Sequence, residues 1–207
     1  MTELLSGYDQ NTQMLVFRVY AETLPDTERR QNHRQAHFAA LDLLGAALEK
    51  DFGVRHAVIH RAGLGKPKLL HDFLHVNISH CKGLAVAAAG RVPLGVDAEP
   101  PRKVRDSLLT KVCTAEEAAE IQHAADKNLA FSRFWTLKEA YAKYTGEGIG
   151  LDFAKLGFTI RSFDDIVFHH PDADRLHFCQ LMFGGQTVIS LCVPHDPVHP
   201  DVIRFPV

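Results

Sequence analysis

The sequence predicts an α+β protein in which each half of the chain contains helices and short antiparallel strands. Two observations predict this class. Along both halves the hydrophobic pattern changes between a helical period and a period of two, and the strands occur in groups, unlike the regular alternation of a βαβ fold. The length of 207 residues suits one large domain or two small ones. We expect an N-terminal lobe over residues 1–94 and a C-terminal lobe over residues 95–207.

The composition argues against several classes of protein. The formal net charge is −2 and no block of like charge occurs, so no pattern indicates nucleic acid or a membrane surface as a partner. No apolar run is long enough to span a membrane, and "MTELLSGYDQ" lacks the layout of a signal peptide. Four cysteines without a C-x-x-C pair favour buried, reduced thiols, and the close histidine pairs favour surface positions over a zinc site. We therefore expect a cytoplasmic protein.

The first half predicts a strand over residues 14–20, where apolar side chains alternate. "RQAHFAALDLLGAALEKDFG" then predicts a helix that ends at Gly53 and buries a stripe containing Phe38 and Leu44. A loop is expected around Lys66, because glycines and Pro67 interrupt the pattern there.

Three short strands follow, in "HVNIS", "GLAVAAA" and "PLGVDAE". Their short connections predict antiparallel neighbours in one sheet. The second half begins with Thr114 and Glu117, which have the spacing of a capping box at a helix start.

A longer helix is predicted from Asn128 to Tyr144, with Gly146 ending it. Strands are then expected in "KLGFTI", "RLHFCQLMF" and "TVISLCV". Gly184 and Gly185 predict a hairpin between the last two.

The stretch "LGVDAEP" contains the first candidate site. Asp97 and Glu99 lie two residues apart on a predicted strand, so they share one face, while Val96 and Ala98 face the core. Two neighbouring carboxylates repel each other unless a cation or a proton intervenes, and hard oxygen ligands suit Mg²⁺. A solvated edge strand could carry the same pair.

The stretch "FWTLKEAYAKYTGEGIG" contains the second candidate site. Glu139 and Lys143 are one helical turn apart, and Lys138 and Trp135 are neighbours. Glu139 could serve as a metal ligand or general base, with Lys143 and Lys138 facing a phosphate. A surface ion pair beside a core tryptophan would have the same spacing.

Two shorter stretches could bind phosphate. Ser79 and His80 end the strand in "NISH", and Lys66 lies in the turn "GKPKL". A capped turn and a solvated loop are the alternatives.

The order of these motifs is more specific than any one of them. G-K-P, N-I-S-H, G-V-D-x-E, W-T-x-K-E-A-x-x-K and T-G-x-G-I follow one another over about residues 65–150. This order resembles the two-lobed, Sfp-type 4′-phosphopantetheinyl transferases. The resemblance implies two similar α+β lobes related by a pseudo-two-fold, with core motifs over residues 95–150.

The resemblance also implies an activity. Members of this family move the phosphopantetheine arm of coenzyme A onto a serine of an apo carrier protein and release adenosine 3′,5′-bisphosphate. The implied ligands of Mg²⁺, or of Mn²⁺, are Asp97, Glu99 and Glu139. The implied catalytic residues are Glu139 as base for the carrier serine, Lys143 at the transferred phosphate, and Asp97. The residues expected at the coenzyme A phosphates are Lys66, Ser79, His80, Lys138 and Lys143. Trp135 would pack the helix against a sheet.

The chain departs from the family pattern at two points. Cys81 follows Ser79-His80 where the family usually has a second serine, and a small residue is retained. Phe38 stands where the first helix often carries an arginine for the 3′-phosphate of coenzyme A. Arg29, Arg30 or Arg34 could substitute, and the sequence does not select among them.

Two other functions use the same residues. One is a Mg²⁺-dependent phosphodiesterase or hydrolase of coenzyme A or a nucleotide, with water as the acceptor. The other is a non-catalytic protein that binds coenzyme A or a carrier. A monomer is expected from the two-lobed architecture, and the carrier protein is not marked by any motif.

Overall fold

The computed structural model describes residues 1–9, 12, 14–25, 29–62, 66–70, 73–195 and 203–204. The helices and strands of this part are, in chain order, β1 (Thr2–Tyr8), β2 (Leu15–Thr23), α1 (Arg29–Phe52), β3 (Ile59–Ala62), β4 (Lys66–Leu69), β5 (His75–Cys81), β6 (Leu84–Gly90), β7 (Gly95–Glu99), α2 (Asp106–Val112), α3 (Ala115–His123), α4 (Lys127–Thr145), β8 (Gly157–Ile160), β9 (Ile166–His169), β10 (Leu176–Phe183), β11 (Thr187–Pro194) and β12 (Ile203–Arg204). Among these helices, none has both the length and the apolar character to cross a bilayer.

The α+β class is confirmed by two main antiparallel sheets. The first has the strand order β12-β1-β2-β6-β5, and the second has the order β10-β11-β7. Helix α1 packs on β5 and β6 of the first sheet, and α4 packs on β7 and β11 of the second. Each main sheet therefore carries one long helix. The pseudo-two-fold and the lobe boundary after residue 94 stay predictions.

Helix α1 faces its sheet with a stripe of small and branched residues. Ala36, Ala40, Leu44 and Ala47 are nearly inaccessible. The prediction that Phe38 is buried is wrong, because its side chain is 51% exposed. The buried stripe depends on alanines, which place the opposite side of the helix, with Phe38, toward solvent.

The three strands predicted as neighbours belong to two sheets. Strand β6 pairs with β2 on one edge and with β5 on the other. Both edges of β6 are occupied, so β7 pairs with β11 instead. The loop expected around Lys66 is also wrong, since residues 66–69 form β4 and pair with β3; the glycines at 63 and 65 lie outside the described residues.

The second half forms its core around α4. The Asp126 side chain accepts hydrogen bonds from the backbone N–H groups of Asn128 and Leu129 at the start of this helix. Gly146 ends it in the left-handed region with a φ of 82°. Phe134 and Leu137 are buried on its inner face. The ends of this helix therefore agree closely with the prediction.

Three smaller predictions are also confirmed. Thr114 and Glu117 form a capping box at α3. The Gly184–Gly185 turn joins β10 to β11, with both glycines at positive φ. All four cysteines are free thiols, and all except the half-buried Cys81 are buried.

Candidate active site between the two sheets

A cavity of about 500 Å³ opens where β5, β7 and α4 meet. Its lining includes Lys66, Ser79, His80, Asp97, Glu99, Glu139 and Lys143, whereas Lys138 and Arg34 lie outside it. The structure thus brings together side chains that are far apart in the sequence.

Gly95 allows α4 to lie directly on β7. A Cβ atom at position 95 would clash with the backbone oxygen of Ala140 and lie only 2.5 Å from the backbone nitrogen of Tyr144. A glycine is required because no side chain fits between strand and helix. The close approach carries Glu139 and Lys143 of α4 to the acidic end of β7, which explains the glycine in G-V-D-x-E.

Strand β7 presents its carboxylates to the cavity, as predicted. Val96 and Ala98 are buried in the core, and Asp97 and Glu99 line the cavity. Asp97 is only 7% exposed. The solvated edge strand is therefore excluded as an explanation for this pair.

Side chains join the edge of β7 to the edge of β5. The backbone N–H of Val96 donates to Oδ1 of Asn77 at 3.0 Å, and the backbone N–H of Ala98 donates to Oγ of Ser79 at 3.1 Å. Between these edges the structure describes no backbone ladder. We call this contact between β5 and β7 the seam. It satisfies edge N–H groups that would otherwise be buried without partners.

Asp97 and Lys143 form an ion pair at the seam. Lys143 Nζ donates to Asp97 Oδ1 at 2.7 Å and to the backbone oxygens of Val96 at 3.1 Å and Ile78 at 3.4 Å. Ser79 Oγ donates to the same Asp97 oxygen at 2.8 Å. These contacts fix the carboxylate of Asp97 and hold the lysine ammonium beside it.

The other two carboxylates lie in an environment that disfavours their charge. Burial, and then repulsion by Asp97, raise the pKa of Glu139 to about 7, and Lys143 offsets part of this shift. Burial and Asp97 also raise the pKa of Glu99, although Arg102 lies 3.6 Å from its Oε1 and opposes the shift. Within the described chain Glu139 makes no hydrogen bond or ion pair. A cation in this cavity would relieve the repulsion among the three carboxylates.

The carboxylates do not form a ready-made metal cage. Among the described residues, no three His, Cys, Asp or Glu side chains converge into a coordination cluster. Mg²⁺ commonly binds through one or two carboxylates and completes its shell with waters and phosphate oxygens. The oxygen-only donor set of Asp97, Glu99 and Glu139 fits that mode of binding.

Lys138 corrects the sequence prediction. Its ammonium is fully buried and donates to Glu117 Oε2 at 2.6 Å and to the backbone oxygens of Val112 and Phe153 at 2.7 and 2.9 Å. All three donors of an ammonium are used. Lys138 therefore cannot face a phosphate in the cavity, and its side chain points into the core beneath α4.

Lys66 lies at the other end of the cavity with a partly structural role. Its ammonium donates to the backbone oxygen of Tyr144 at 2.9 Å and contacts that of Leu94 at 3.5 Å. Burial lowers its pKa to about 8. The lysine thereby ties β4 to the C-terminal end of α4, where cations are favoured.

The cavity lining also contains His37 and Asn77, two polar residues to which the sequence gave no role, although Asn77 is the first residue of the N-I-S-H motif. The ring of His37 lies 5.4 Å from that of His80, in an edge contact, and Asn77 lies on β5 two residues before Ser79. A signal for Asn77 was present, because alternate strand residues share a face with Ser79. No local signal connects His37 on α1 to β5.

Trp135 lines the cavity, and its described ring contacts are with residues outside the sheets, so its packing against a sheet stays a prediction. It stacks on Phe131 and contacts Phe153, and the guanidinium of Arg102 lies 5.3 Å from its ring. The exposed Arg34 has its guanidinium 5.8 Å from the ring of Phe38.

The side chains of Arg29 and Arg30 lie outside the described residues, and Arg34 is absent from the cavity lining. The residue that would hold a 3′-phosphate stays a prediction.

Comparison with known proteins agrees with these motifs. A family model described as the 4′-phosphopantetheinyl transferase superfamily matches residues 93–192, which include all three carboxylates and Lys143. A 4′-phosphopantetheinyl transferase of Bacillus subtilis is 27% identical over 204 residues, covering 94% of this chain and 90% of the relative. The transferase psf-1 of Bacillus pumilus is 29% identical over 111 residues, or 52% of this chain, and the chain spans about half (47%) of that relative.

The holo-[acyl-carrier-protein] synthase of Neisseria meningitidis aligns with a TM-score of 0.43 and 20% identity, covering 50% of this chain and 98% of the synthase.

Proposed function

We propose that the chain is a 4′-phosphopantetheinyl transferase, which the match of that superfamily's model to residues 93–192 supports, and that it transfers the 4′-phosphopantetheine arm of coenzyme A to a serine of an apo carrier protein. Adenosine 3′,5′-bisphosphate is the second product. The observation that carries the proposal is the cavity in which three carboxylates lie beside Lys143 and His80. Phosphoryl transfer depends on positioning and on groups that stabilise charge on the phosphate oxygens, and this cavity offers both.

Cationic groups of the cavity would hold the diphosphate of coenzyme A. Lys143 is held at the seam by Asp97 and two backbone oxygens, with its side chain 26% exposed. Because its three donors are already used, the ammonium would contact a phosphate by giving up its longest bond, the 3.4 Å bond to the Ile78 oxygen, while Asp97 and Val96 keep it in place. Lys66 lines the same cavity, and the ring of His80 adds a further hydrogen-bonding group for a phosphate oxygen.

Asp97, Glu99 and Glu139 would hold a Mg²⁺ ion together with waters and phosphate oxygens. Bound there, Mg²⁺ would neutralise charge that develops on the 5′-phosphate of the leaving adenosine 3′,5′-bisphosphate. The support for this assignment is the set of three oxygen donors on one cavity and the raised pKa of Glu139 and of Glu99. Mn²⁺ would use the same oxygens.

Glu139 is the proposed base. Its pKa of about 7 in the free protein leaves part of the population ionised at neutral pH. Its carboxylate, directly or through one water, would take the proton of the carrier serine. The serine oxygen then bonds to the phosphorus next to pantetheine, and the bond from that phosphorus to the oxygen of the bisphosphate breaks.

The proposal includes three points that follow from the family. The protein acts in the cytoplasm, it acts as a monomer, and its protein partner is an apo acyl, peptidyl or polyketide carrier. The lobe division near residue 94 is also part of the proposal, because it places the substrate at the junction of the two main sheets.

Intact-protein mass spectrometry tests the proposal. The protein is incubated with coenzyme A, Mg²⁺ and a panel of apo carriers, with matched reactions that contain EDTA or a carrier whose acceptor serine is alanine. We expect one carrier to gain one phosphopantetheine arm, only with the metal and the serine present. Coenzyme A cleavage without carrier modification would indicate a hydrolase. Coenzyme A binding without any turnover across the panel would indicate a binding protein, and either result would overturn the proposal.

A further inference from the structure

Asn77 is a buried residue of the cavity wall to which neither the motifs nor the proposed mechanism give a role. It lies on β5, is 1% exposed, and lines the cavity beside Ser79 and Asp97. A fully buried amide side chain is uncommon unless its polar atoms are used.

The seam fixes which way the amide of Asn77 points. The backbone N–H of Val96 donates to the side chain of Asn77 at 3.0 Å, and only the oxygen of an amide can accept this bond. Oδ1 therefore faces β7. Because the oxygen is committed to the seam, Nδ2 occupies the other position of the planar amide.

The amino group of Asn77 makes no hydrogen bond to any residue in the described part of the chain. In the described part of the chain, the solvent-inaccessible side-chain nitrogen and oxygen atoms without a hydrogen-bond partner belong to Arg18, Tyr20 and Asp51. Nδ2 of Asn77 is not one of them, so it keeps contact with the cavity that the residue lines. Two N–H donors at an otherwise buried position need an acceptor, since an unpaired donor costs about 1–3 kcal/mol.

We propose that Asn77 binds the donor substrate, with Oδ1 anchoring the residue to β7 and Nδ2 donating to a phosphate oxygen of coenzyme A. A phosphate is the acceptor we favour, because Lys143 at the same seam offsets the charge of Asp97, and Lys66 and His80 line the same cavity. The identity of the ligand rests on the proposed function, whereas the direction of the amide rests on the hydrogen bond to Val96 alone.

The substitution Asn77→Asp separates the two roles of the amide. An aspartate has nearly the same shape and keeps an acceptor for the Val96 N–H, but it replaces the donor with a negatively charged oxygen. Asn128 offers a matched control, because its Oδ1 also accepts a backbone N–H, that of Val104 at 3.3 Å, outside the cavity. Asn128→Asp makes the same chemical change away from the substrate.

The experiment measures the dissociation constant for coenzyme A by calorimetry, and KM and kcat for transfer, in the wild type and both variants. We expect Asn77→Asp to weaken coenzyme A binding at least about tenfold and Asn128→Asp to leave it within about twofold. Coenzyme A lacking the 3′-phosphate identifies the oxygen that is contacted. An equal loss with both compounds assigns the contact to the diphosphate, and a loss confined to coenzyme A assigns it to the 3′-phosphate.

The outcomes for Asn77 and for the proposed function differ. If the wild type binds and transfers normally and a folded Asn77→Asp does the same, Asn77 serves the seam alone and this inference is wrong. If the wild type binds no coenzyme A, the proposed function fails first and the ligand given to Asn77 fails with it.

A second measurement needs no variant to fold. The side-chain amide resonance of Asn77 in the ¹⁵N spectrum of the wild type should move when coenzyme A is added, and an unchanged resonance at saturating coenzyme A would overturn the inference.

Discussion

Helix α4 carries two lysine–carboxylate pairs with opposite surroundings. Lys138 lies 2.6 Å from Glu117, with both side chains no more than 1% exposed, and we call this the sealed pair. Lys143 lies 2.7 Å from Asp97, with side-chain exposures of 26% and 11%, and we call this the cavity pair. The two distances are nearly equal, so distance alone does not reveal what each pair does.

The sealed pair has all its hydrogen bonds satisfied. Besides binding Lys138, Glu117 accepts from the backbone N–H groups of Thr114 and Phe158 at 2.9 and 2.8 Å. The pair thereby joins α3, α4 and β8 through one carboxylate. A buried ion pair with complete partners serves the fold.

The cavity pair lies beside two further carboxylates that repel Asp97 and each other. Glu139 and Glu99 share its cavity, and both have a raised pKa from burial and from Asp97. Such clusters of perturbed carboxylates in a cavity are typical of functional sites. The difference between the pairs shows that unsatisfied electrostatics, more than the presence of an ion pair, marks the site.

Breaking the sealed pair should have the largest effect on stability. Lys138→Met leaves the Glu117 carboxylate buried without its cation, so we expect the free energy of unfolding to fall by about 3–5 kcal/mol. Urea denaturation measures this change. The double variant Lys138→Met with Glu117→Gln should recover part of the loss, and a loss below about 1 kcal/mol in the single variant would contradict the role of the pair.

Breaking the cavity pair should affect transfer more than folding. Lys143→Met is expected to slow transfer by about 100-fold, through lost stabilisation of charge on the phosphate, while stability falls less than in Lys138→Met, because this pair is partly exposed and Ser79 still donates to Asp97. The exposed Lys127 on the same helix provides the control Lys127→Met. Equal losses of stability in the Lys138 and Lys143 variants would remove the distinction between the two pairs.

The charge of Glu139 should make stability depend on pH. Its pKa is raised from 4.5 to about 7 in the folded protein, so the folded state holds a proton that the unfolded chain has released. This contribution to stability is present below about pH 4.5 and is lost as the pH rises through about 7, with an upper limit of about 3 kcal/mol.

Comparison of the wild type with Glu139→Gln by thermal denaturation from about pH 5 to pH 8 isolates that contribution. The variant should lose less stability as the pH rises, and Mg²⁺ should stabilise the wild type more than the variant near pH 8. Parallel curves with and without the metal would count against the strained carboxylate cluster.

The smallest effect is expected at the rim of the cavity. Arg102 lies 3.6 Å from Glu99 with side-chain exposures of 41% and 27%, so Arg102→Gln should change the free energy of unfolding by about 0.2–1 kcal/mol. It should also raise the pKa of Glu99 further, which carboxyl NMR would detect. A larger loss of stability would mean that the contact of Arg102 with Trp135 matters more than its charge.

Local periodicity explains which parts of the site the sequence could predict. Asp97 and Glu99 share a face because strands alternate, and Glu139 and Lys143 lie one turn apart because helices repeat near every fourth residue. Both patterns operate within a few residues. For the same reason the ends of α4 and the hairpin between β10 and β11 agreed with the structure.

Other parts depended on packing between distant segments. Lys138 is next to Glu139 in sequence, but adjacent side chains of a helix point about 100° apart. The side of α4 that carries Lys138 faces the core, and the side that carries Glu139 faces the cavity. Phe38 was expected in the buried stripe, but alanines of α1 formed the buried face. No pattern near β7 in the sequence predicts that β7 pairs with β11, or that the side chain of Asn77 accepts the backbone N–H of Val96.

The most direct test of the central claim compares the wild type with Glu139→Gln. The measurement is the rate of release of adenosine 3′,5′-bisphosphate with an accepted carrier, coenzyme A and Mg²⁺. The account predicts a loss of at least about 100-fold in the variant, with partial retention of coenzyme A binding. Equal rates in the two proteins would contradict the claim that the carboxylate cavity performs the transfer.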